Sequence, residues 1–299
     1  MASVTLDRDA PGGEEAGAGA TSRASNRAFA KLIRNRSALI GGTIVLVFVA
    51  MALLAPLLPL ADPLKSNFLA IRKPPSELYW FGTDELGRDQ VSRLFFGAQA
   101  SLLAGIVSVL IALGVGVPVG LVAGWYGGWI DIVISRITEA LLACPFLILA
   151  IAFAAVLGPS LTNAMIAIGL SAVPIFIRLV RGPVNTVKTE DFVEGARAVG
   201  VKDHVILFRH VAPNTLAPIV VQSTLFMAQA IILEAALSFL GLGQQPPAPS
   251  WGQMLNVAKN FMEQAPWMSV APGIAIFLTV LGFNLLGDGL RDALDPKEG

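Results

Sequence analysis

Side chains able to do chemistry are few in this 299-residue sequence, and their spacing excludes most reactions. Its two histidines, His204 and His210, lie six apart, whereas two imidazoles that share a metal on one helix face sit four apart. Both therefore read as surface or docking residues. The one cysteine, Cys144, stands beside Pro145 in an apolar run; it excludes a disulfide framework and reads as packing at a kink. Gly241-Leu242-Gly243 lacks the strand and third glycine of a dinucleotide fingerprint, and no Gly-rich loop ending in Lys-Ser/Thr cradles phosphate. No nucleophile has a base at a recognisable spacing. The expectation is a non-catalytic chain that binds no cofactor or metal itself. What remains are polar groups in or beside apolar stretches. An acid at membrane depth is costly and is a functional candidate by default. Glu139 lies close to one membrane surface, where it reaches water. Glu234 sits about two turns before a Pro/Gly-rich loop and either pairs internally or faces a pathway. Asn163, Gln222, Gln229 and Asn284 either line such a path or bond between helices.

The elements that must position these groups follow from composition. Hydrophobic residues are 55% and charged residues 14% of the chain, with a mean hydropathy of +0.69. A soluble domain carries about a quarter charged residues, so this is an all-α polytopic membrane protein. Its formal net charge of +0 gives no reason to expect a nucleic-acid partner. Residues 1–24, rich in Ala, Gly and Ser, read as a disordered tail. Arg23, Arg27, Lys31, Arg34 and Arg36 precede an uncharged run from Ser37 to Ala61, which is the first span and sets the N-terminus in the cytoplasm. Ala50-x-Ala52 imitates a signal cleavage site, but the apolar run outlasts a signal sequence, so an uncleaved anchor is expected. Residues 25–97 thus combine the first span with an extracytoplasmic segment. In that segment Gly82-Thr83-Asp84-Glu85-Leu86-Gly87-Arg88-Asp89 reads as a loop that pairs its own charges, in preference to a ligand site. Val91, Leu94 and Phe95 begin an amphipathic approach to the membrane.

Residues 98–290 carry five more spans. Ser101–Ala123 is the second, with Gly116, Gly120 and Gly124 either forming a ridge for close helix approach or merely tolerated in lipid. Trp125, Tyr126 and Trp129 suit the interface. Asp131, Arg136 and Glu139 mark a short inner turn. Gly158-Pro159-Ser160 divides a third span, from Ala140 to Leu157, from a fourth over Leu161–Ile177. A fifth covers Thr215–Leu240 and a sixth Met268–Leu286, separated by an outer loop rich in Pro. Six transmembrane helices with both termini cytoplasmic result, and residues 291–299 form a cytoplasmic tail. The loop at 182–213 is polar and helix-forming. Thr189 is a candidate N-cap, and Phe192, Val193, Ala196 and Val199 form an apolar stripe. Gly200 offers a left-handed stop, and Asp203 caps a second helix that runs to Ala212. An apolar stripe on a helix between spans needs a partner to cover it.

Glu194-x-Ala196, then Gly200 and Pro213, resembles the EAA loop of ABC-importer permeases, with Gly195 in place of the motif's first Ala. Gly82-Thr83-Asp84-x-x-Gly87-Arg88-Asp89 is similar to the segment after the first span in C-type permeases of dipeptide, oligopeptide and nickel importers. Glu234-Ala235-x-Leu237-Ser238-Phe239-Leu240-Gly241-Leu242-Gly243, Pro246-x-x-Pro249-Ser250-Trp251-Gly252 and Asn284 to Pro296 resemble later parts of the same permeases. The resemblance covers about residues 28–296. It implies a type I ABC-importer permease core, multi-pass in the bacterial inner membrane and in contact with lipid. It implies a heterodimer with a homologous B-type permease, two ABC ATPase subunits that hold the ATP and Mg, and an extracytoplasmic solute-binding protein. Phe192, Val193, Glu194, Gly195, Ala196, Arg197, Val199, Gly200 and Asp203 are then the ATPase-coupling residues. Peptides are the implied substrate, with nickel or another small solute the alternative. An ion-coupled secondary transporter, the rival of another class, would show internal repeats, broken helices and ionisable residues near the midplane; no repeat is evident and buried charges are few.

Overall fold

The computed structural model describes residues 31–294; the tail expected at 1–24 and residues 295–299 lie outside it. The helices are α1 (Arg36–Leu54), α2 (Gln90–Tyr126), α3 (Gly128–Ala143), α4 (Phe146–Leu157) and α5 (Leu161–Val187). They continue as α6 (Asp191–Ala198), α7 (Asp203–Ile206), α8 (Leu216–Phe239), α9 (Trp251–Ala258) and α10 (Trp267–Leu294). Among the described residues, five helical segments are long and apolar enough to cross a membrane, and six if α3 and α4 together make one crossing. Residues 62–89 and 240–250 cluster at one end of the bundle, here the upper end, and residues 188–213 at the lower.

Several expected boundaries move, each for a local reason. α1 stops at Leu54 and not near Ala61, because Pro56 and Pro59 withdraw backbone donors. α2 is a single 37-residue rod, about 55 Å at 1.5 Å per residue, that absorbs the amphipathic approach as its first turns. Its start is fixed by Asp89, whose carboxylate accepts a 2.8 Å bond from the Ser92 N–H. The inner turn expected at Asp131, Arg136 and Glu139 is helical, because Gly127 and Gly128, at φ 63° and 57°, make the turn earlier. The third crossing is instead broken at Cys144-Pro145, where α3 and α4 meet at 96°. Cys144 is exposed at that corner, so its expected packing role is overturned. α5 runs past Ile177 to Val187, and α10 past Leu286 to Leu294, so the tail drawn from residue 291 begins as helix. The second loop helix is one α-turn, continued by a π-turn at Leu207–Val211 and a 3-10 turn at Ala212–Thr215 that leads into α8.

α2 and α5 lie side by side and run parallel, and glycine is what lets them. A Cβ at Gly116 would fall 2.7 Å from Phe176 Cβ, one at Gly120 3.0 Å from Val180 Cβ, and one at Gly124 2.8 Å from Val184 Cβ. The ridge reading of these three glycines therefore holds. α8 packs antiparallel to α2, and α10 antiparallel to α1, where Ala38 meets Gly289 and Ile44 meets Gly282. The main core gathers Phe176, Phe226, Ile231, Leu237 and Trp251 between these helices.

Candidate functional site

Polar chemistry is confined to the two ends of the bundle and one buried acid between them. At the lower end α6 is fastened to its own chain. Val193 is fully buried in a cluster with Trp125, Val184, Ile206, Leu207 and Val211. The Arg197 guanidinium lies 4.8 Å from the centre of the Trp125 ring, and Lys188 Nζ donates 2.8 Å bonds to the Gly124 carbonyl and to Asn185 Oδ1. Gly200, at φ 81°, turns the chain so that the Val201 N–H reaches the Ala196 carbonyl at 3.0 Å. The N-cap position is Glu190, not Thr189, and its side chain makes no capping bond; the Thr189 hydroxyl donates to the Thr186 carbonyl at 2.8 Å. Asp203 is the first residue of α7 and does not cap it.

The expected docking stripe is split. At 100° per residue its four members span about 120° of the helix, and α6 is rolled so that one edge is inside and the other outside. Val193 is buried and Ala196 half-buried against the same cluster, while Phe192 and Val199 are 50% and 78% exposed. Glu194, Gly195, Arg197, Gly200 and Asp203 are exposed as well. Phe208, which sequence reasoning passed over, adds a further exposed ring at 66%. Its signal was present: an aromatic residue beside Arg209 and His210 has no place in a core.

The upper end is the opposite case. Asp84, Arg88 and Arg93 are almost wholly buried. Arg88 Nε meets Asp84 Oδ2 at 2.6 Å, Arg88 Nη2 meets Glu85 Oε1 at 2.6 Å, and Arg93 Nε approaches Asp84 Oδ2 at 3.3 Å. Arg93 also donates to the carbonyls of Pro63 and Pro247, at 2.9 and 3.3 Å, and to Gln253 Oε1 at 3.1 Å. It thereby ties the 62–89 segment, α2 and α9 together. The Thr83 hydroxyl donates to the Ala70 carbonyl, and the Trp267 indole donates to the Thr83 carbonyl at 3.2 Å. Burial pushes the Glu85 carboxyl above its usual range, Asp84 pushes it further, and Arg88 opposes both. Burial likewise raises Asp89.

Glu234 is fully buried in α8. Its carboxylate accepts from the Ser101 hydroxyl at 3.0 Å and the Ser238 hydroxyl at 2.7 Å. Ser101 in turn accepts from the Trp251 N–H at 3.3 Å, and Ser238 from the Gln244 N–H at 2.9 Å. One acid thus joins α2, α8, the 240–250 loop and α9. The start of α9 is set by Ser250, which accepts from the Gln253 N–H at 3.2 Å. Ser-x-x-Gln there is a legible capping signal that the proline count obscured. Asn163 holds the α4–α5 connection by donating to the carbonyls of Leu157 and Gly158, at 2.8 and 3.0 Å. Gln229 and Asn284 are exposed on the bundle surface and Gln222 is half-buried. Glu139 pairs with Arg136 at 2.8 Å, with both side chains more than half exposed. Among the described residues no group of three or more His, Cys, Asp or Glu is placed to hold a metal ion.

A helical bundle with a single-rod second span, a broken third crossing and a short helix presented between the α5 and α8 crossings is a transport permease in class. Residues 116–298 match the family described as binding-protein-dependent transport system inner membrane component. Residues 25–75 match the N-terminal membrane domain of oligopeptide transport permease C. The dipeptide transport system permease protein of Alkalihalophilus pseudofirmus is 50% identical over 90% of this chain and 89% of its own. The glutathione transport system permease protein of Pectobacterium atrosepticum is 45% identical over 89% of each chain. That of Salmonella typhimurium is 50% identical over 88% of each. An inward-facing structure of the MetNI methionine ABC transporter superposes with a TM-score of 0.55 at 21% identity, covering 68% of this chain and 97% of the other; it shares the fold. The chain belongs to the binding-protein-dependent transport system inner membrane component family, and is a multi-pass inner-membrane permease of the ABC-importer type.

Proposed function

We propose that this permease forms half of the translocation pathway of an ATP-driven importer of short peptides, and that α6 is its contact with an ATPase subunit. The observation that carries the reading is the split of α6: Val193 is anchored in the chain's own core, while Phe192 and Val199 face outward uncovered. A helix held by one edge and bare on the other is built to receive force and pass it on. Val193, Arg197 and Lys188 join it to the lower ends of α2 and α5. The second half of the pathway is then a homologous permease, with an extracytoplasmic binding protein delivering solute at the upper end. ATP and Mg belong to the ATPase chains. ATP-driven closure of the ATPase subunits draws α6 inward, α2 and α5, packed closely along their glycine ridge, follow it, and hydrolysis resets the state. Short peptides are favoured because close relatives are named for a dipeptide and for glutathione.

The test is Phe192→Asp with Val199→Asp in the assembled transporter. Neither change touches the buried cluster, so folding is expected to persist while ATPase copurification and peptide uptake are lost. Ala196 is a poor probe, since its side chain packs against the Val193 cluster. Full uptake with both substitutions would refute the docking role. Uptake of nickel ion but of no labelled dipeptide would refute the substrate.

A further inference from the structure

An apolar groove of about 610 Å³ opens between the upper halves of α1 and α10. Phe48 and Met51 of α1 and Val270 and Ile274 of α10 form its walls, and Phe81 and Trp267 close its upper end. Its volume falls within the roughly 300–1,000 Å³ of small-ligand sites. Val270 and Ile274 are about half exposed, so the bundle does not close over it. The Trp267 ring is held in place by its bond to Thr83, at the depth where amphipathic rings favour the membrane surface.

The rim carries charge. The Thr83 N–H bonds the Lys73 carbonyl at 3.0 Å, which sets Lys73 beside Trp267 and two residues before Pro75, itself part of the lining. Neighbouring Arg72 is committed to Gln264 Oε1 at 2.6 Å and to the Phe261 ring. Lys73 is exposed, its backbone N–H is bonded to the Thr83 hydroxyl at 2.8 Å, and its ammonium group has no hydrogen bond or ion pair among the described residues. Between residues 71 and 81 the charged side chains are Arg72, Lys73 and the one acid Glu77.

The geometry points to an anionic phospholipid as the occupant, one acyl chain in the groove and its headgroup phosphate against Lys73. An extended peptide is disfavoured because the walls offer its backbone almost no polar partners, and unpaired backbone groups are not tolerated at membrane depth. A hydrocarbon chain has no such requirement. Lysine near a membrane surface favours anionic lipid by about 1 kcal/mol, a preference of about fivefold.

The experiment uses the complete transporter in phosphatidylcholine vesicles doped with phosphatidylglycerol that bears a diazirine in its acyl chain. Photolysis is expected to label peptides containing Phe81, Trp267 or Val270. Val270→Trp, which fills the groove, abolishes that labelling, whereas Phe277→Trp, on the same helix outside the groove, preserves it. Lys73→Gln, a surface change, lowers the preference over diazirine phosphatidylcholine by about fivefold. Equal labelling in wild type and Val270→Trp would overturn the groove as the site. An unchanged preference in Lys73→Gln would overturn the headgroup contact. A benzophenone placed at Phe81 that captures the second permease chain and no lipid would show protein in the groove and overturn both.

Discussion

At the upper end of the bundle Arg88 and Asp84 are 2.6 Å apart, and each side chain is 3% exposed. At the lower end Arg197 and Asp203 are 3.7 Å apart, with side chains 45% and 56% exposed. The first pair belongs to a cluster that consumes its charges internally, so it fixes geometry and has little left for a ligand. The second leaves charge and apolar rings facing outward. A buried pair is costly to break and of modest net benefit when intact, whereas an exposed pair is weak either way. The charges of the upper end are therefore satisfied within this chain, while those of the lower end are left at the surface.

That contrast can be broken at measurable points. Asp84→Ala removes the carboxylate shared by two buried guanidinium groups, and the loss is expected to be about 3–5 kcal/mol; thermal unfolding of the detergent-purified transporter checks it, and a melting temperature equal to wild type would end the case for a structural cap. Val193→Ala is expected to cost about 2 kcal/mol of stability by removing buried apolar area, while its exposed neighbour Phe192→Ala leaves melting unchanged and weakens ATPase binding about tenfold. Asp203→Asn should shift stability by no more than about 0.5 kcal/mol, which would place the lower-end pair among ordinary surface pairs. The smallest effect is that of pH. Because burial raises the Glu85 carboxyl above its ordinary value of 4.5 when folded, the folded chain binds its proton more tightly than the unfolded chain does. Stability is therefore expected to rise slightly as pH falls from neutral towards 4.5 through the raised value. Melting curves across that window should show the slope in wild type and a smaller one in Glu85→Gln.

Much of this architecture could be read from residue types, because it depends on neighbours in the chain. Glycines four apart offered a ridge as one of two readings, without its partner helix, Gly200 predicted the left-handed stop after α6, and the charges around Arg88 predicted local pairing. Errors arose where a distant residue decides. Asp131 reads as part of a short inner turn, but it stands in the first turn of α3, where Arg181, fifty positions on, binds its carboxylate at 2.7 Å. The apolar stripe of α6 was visible as a stripe, but which edge faces inward depends on Trp125 and Val184 from other helices. Glu234 was recognisable as an expensive group. Its partners, Ser101 and Ser238, were identifiable only once α2 and α8 were placed together.

The corner at Cys144-Pro145 has one more implication. Phe146 stacks edge-on against Phe226, 6.1 Å away and near the middle of α8, so the corner lies well below the bilayer surface. The Cys144 N–H bonds the Leu141 carbonyl at 3.3 Å, but a right-angled break takes the continuing helix donors from the other carbonyls of the last turn of α3, and Pro145 supplies none. Acyl tails offer no replacement. The open side of this elbow must consequently adjoin water or another polypeptide, marking the flank of the molecule from which solvating lipid is shut out.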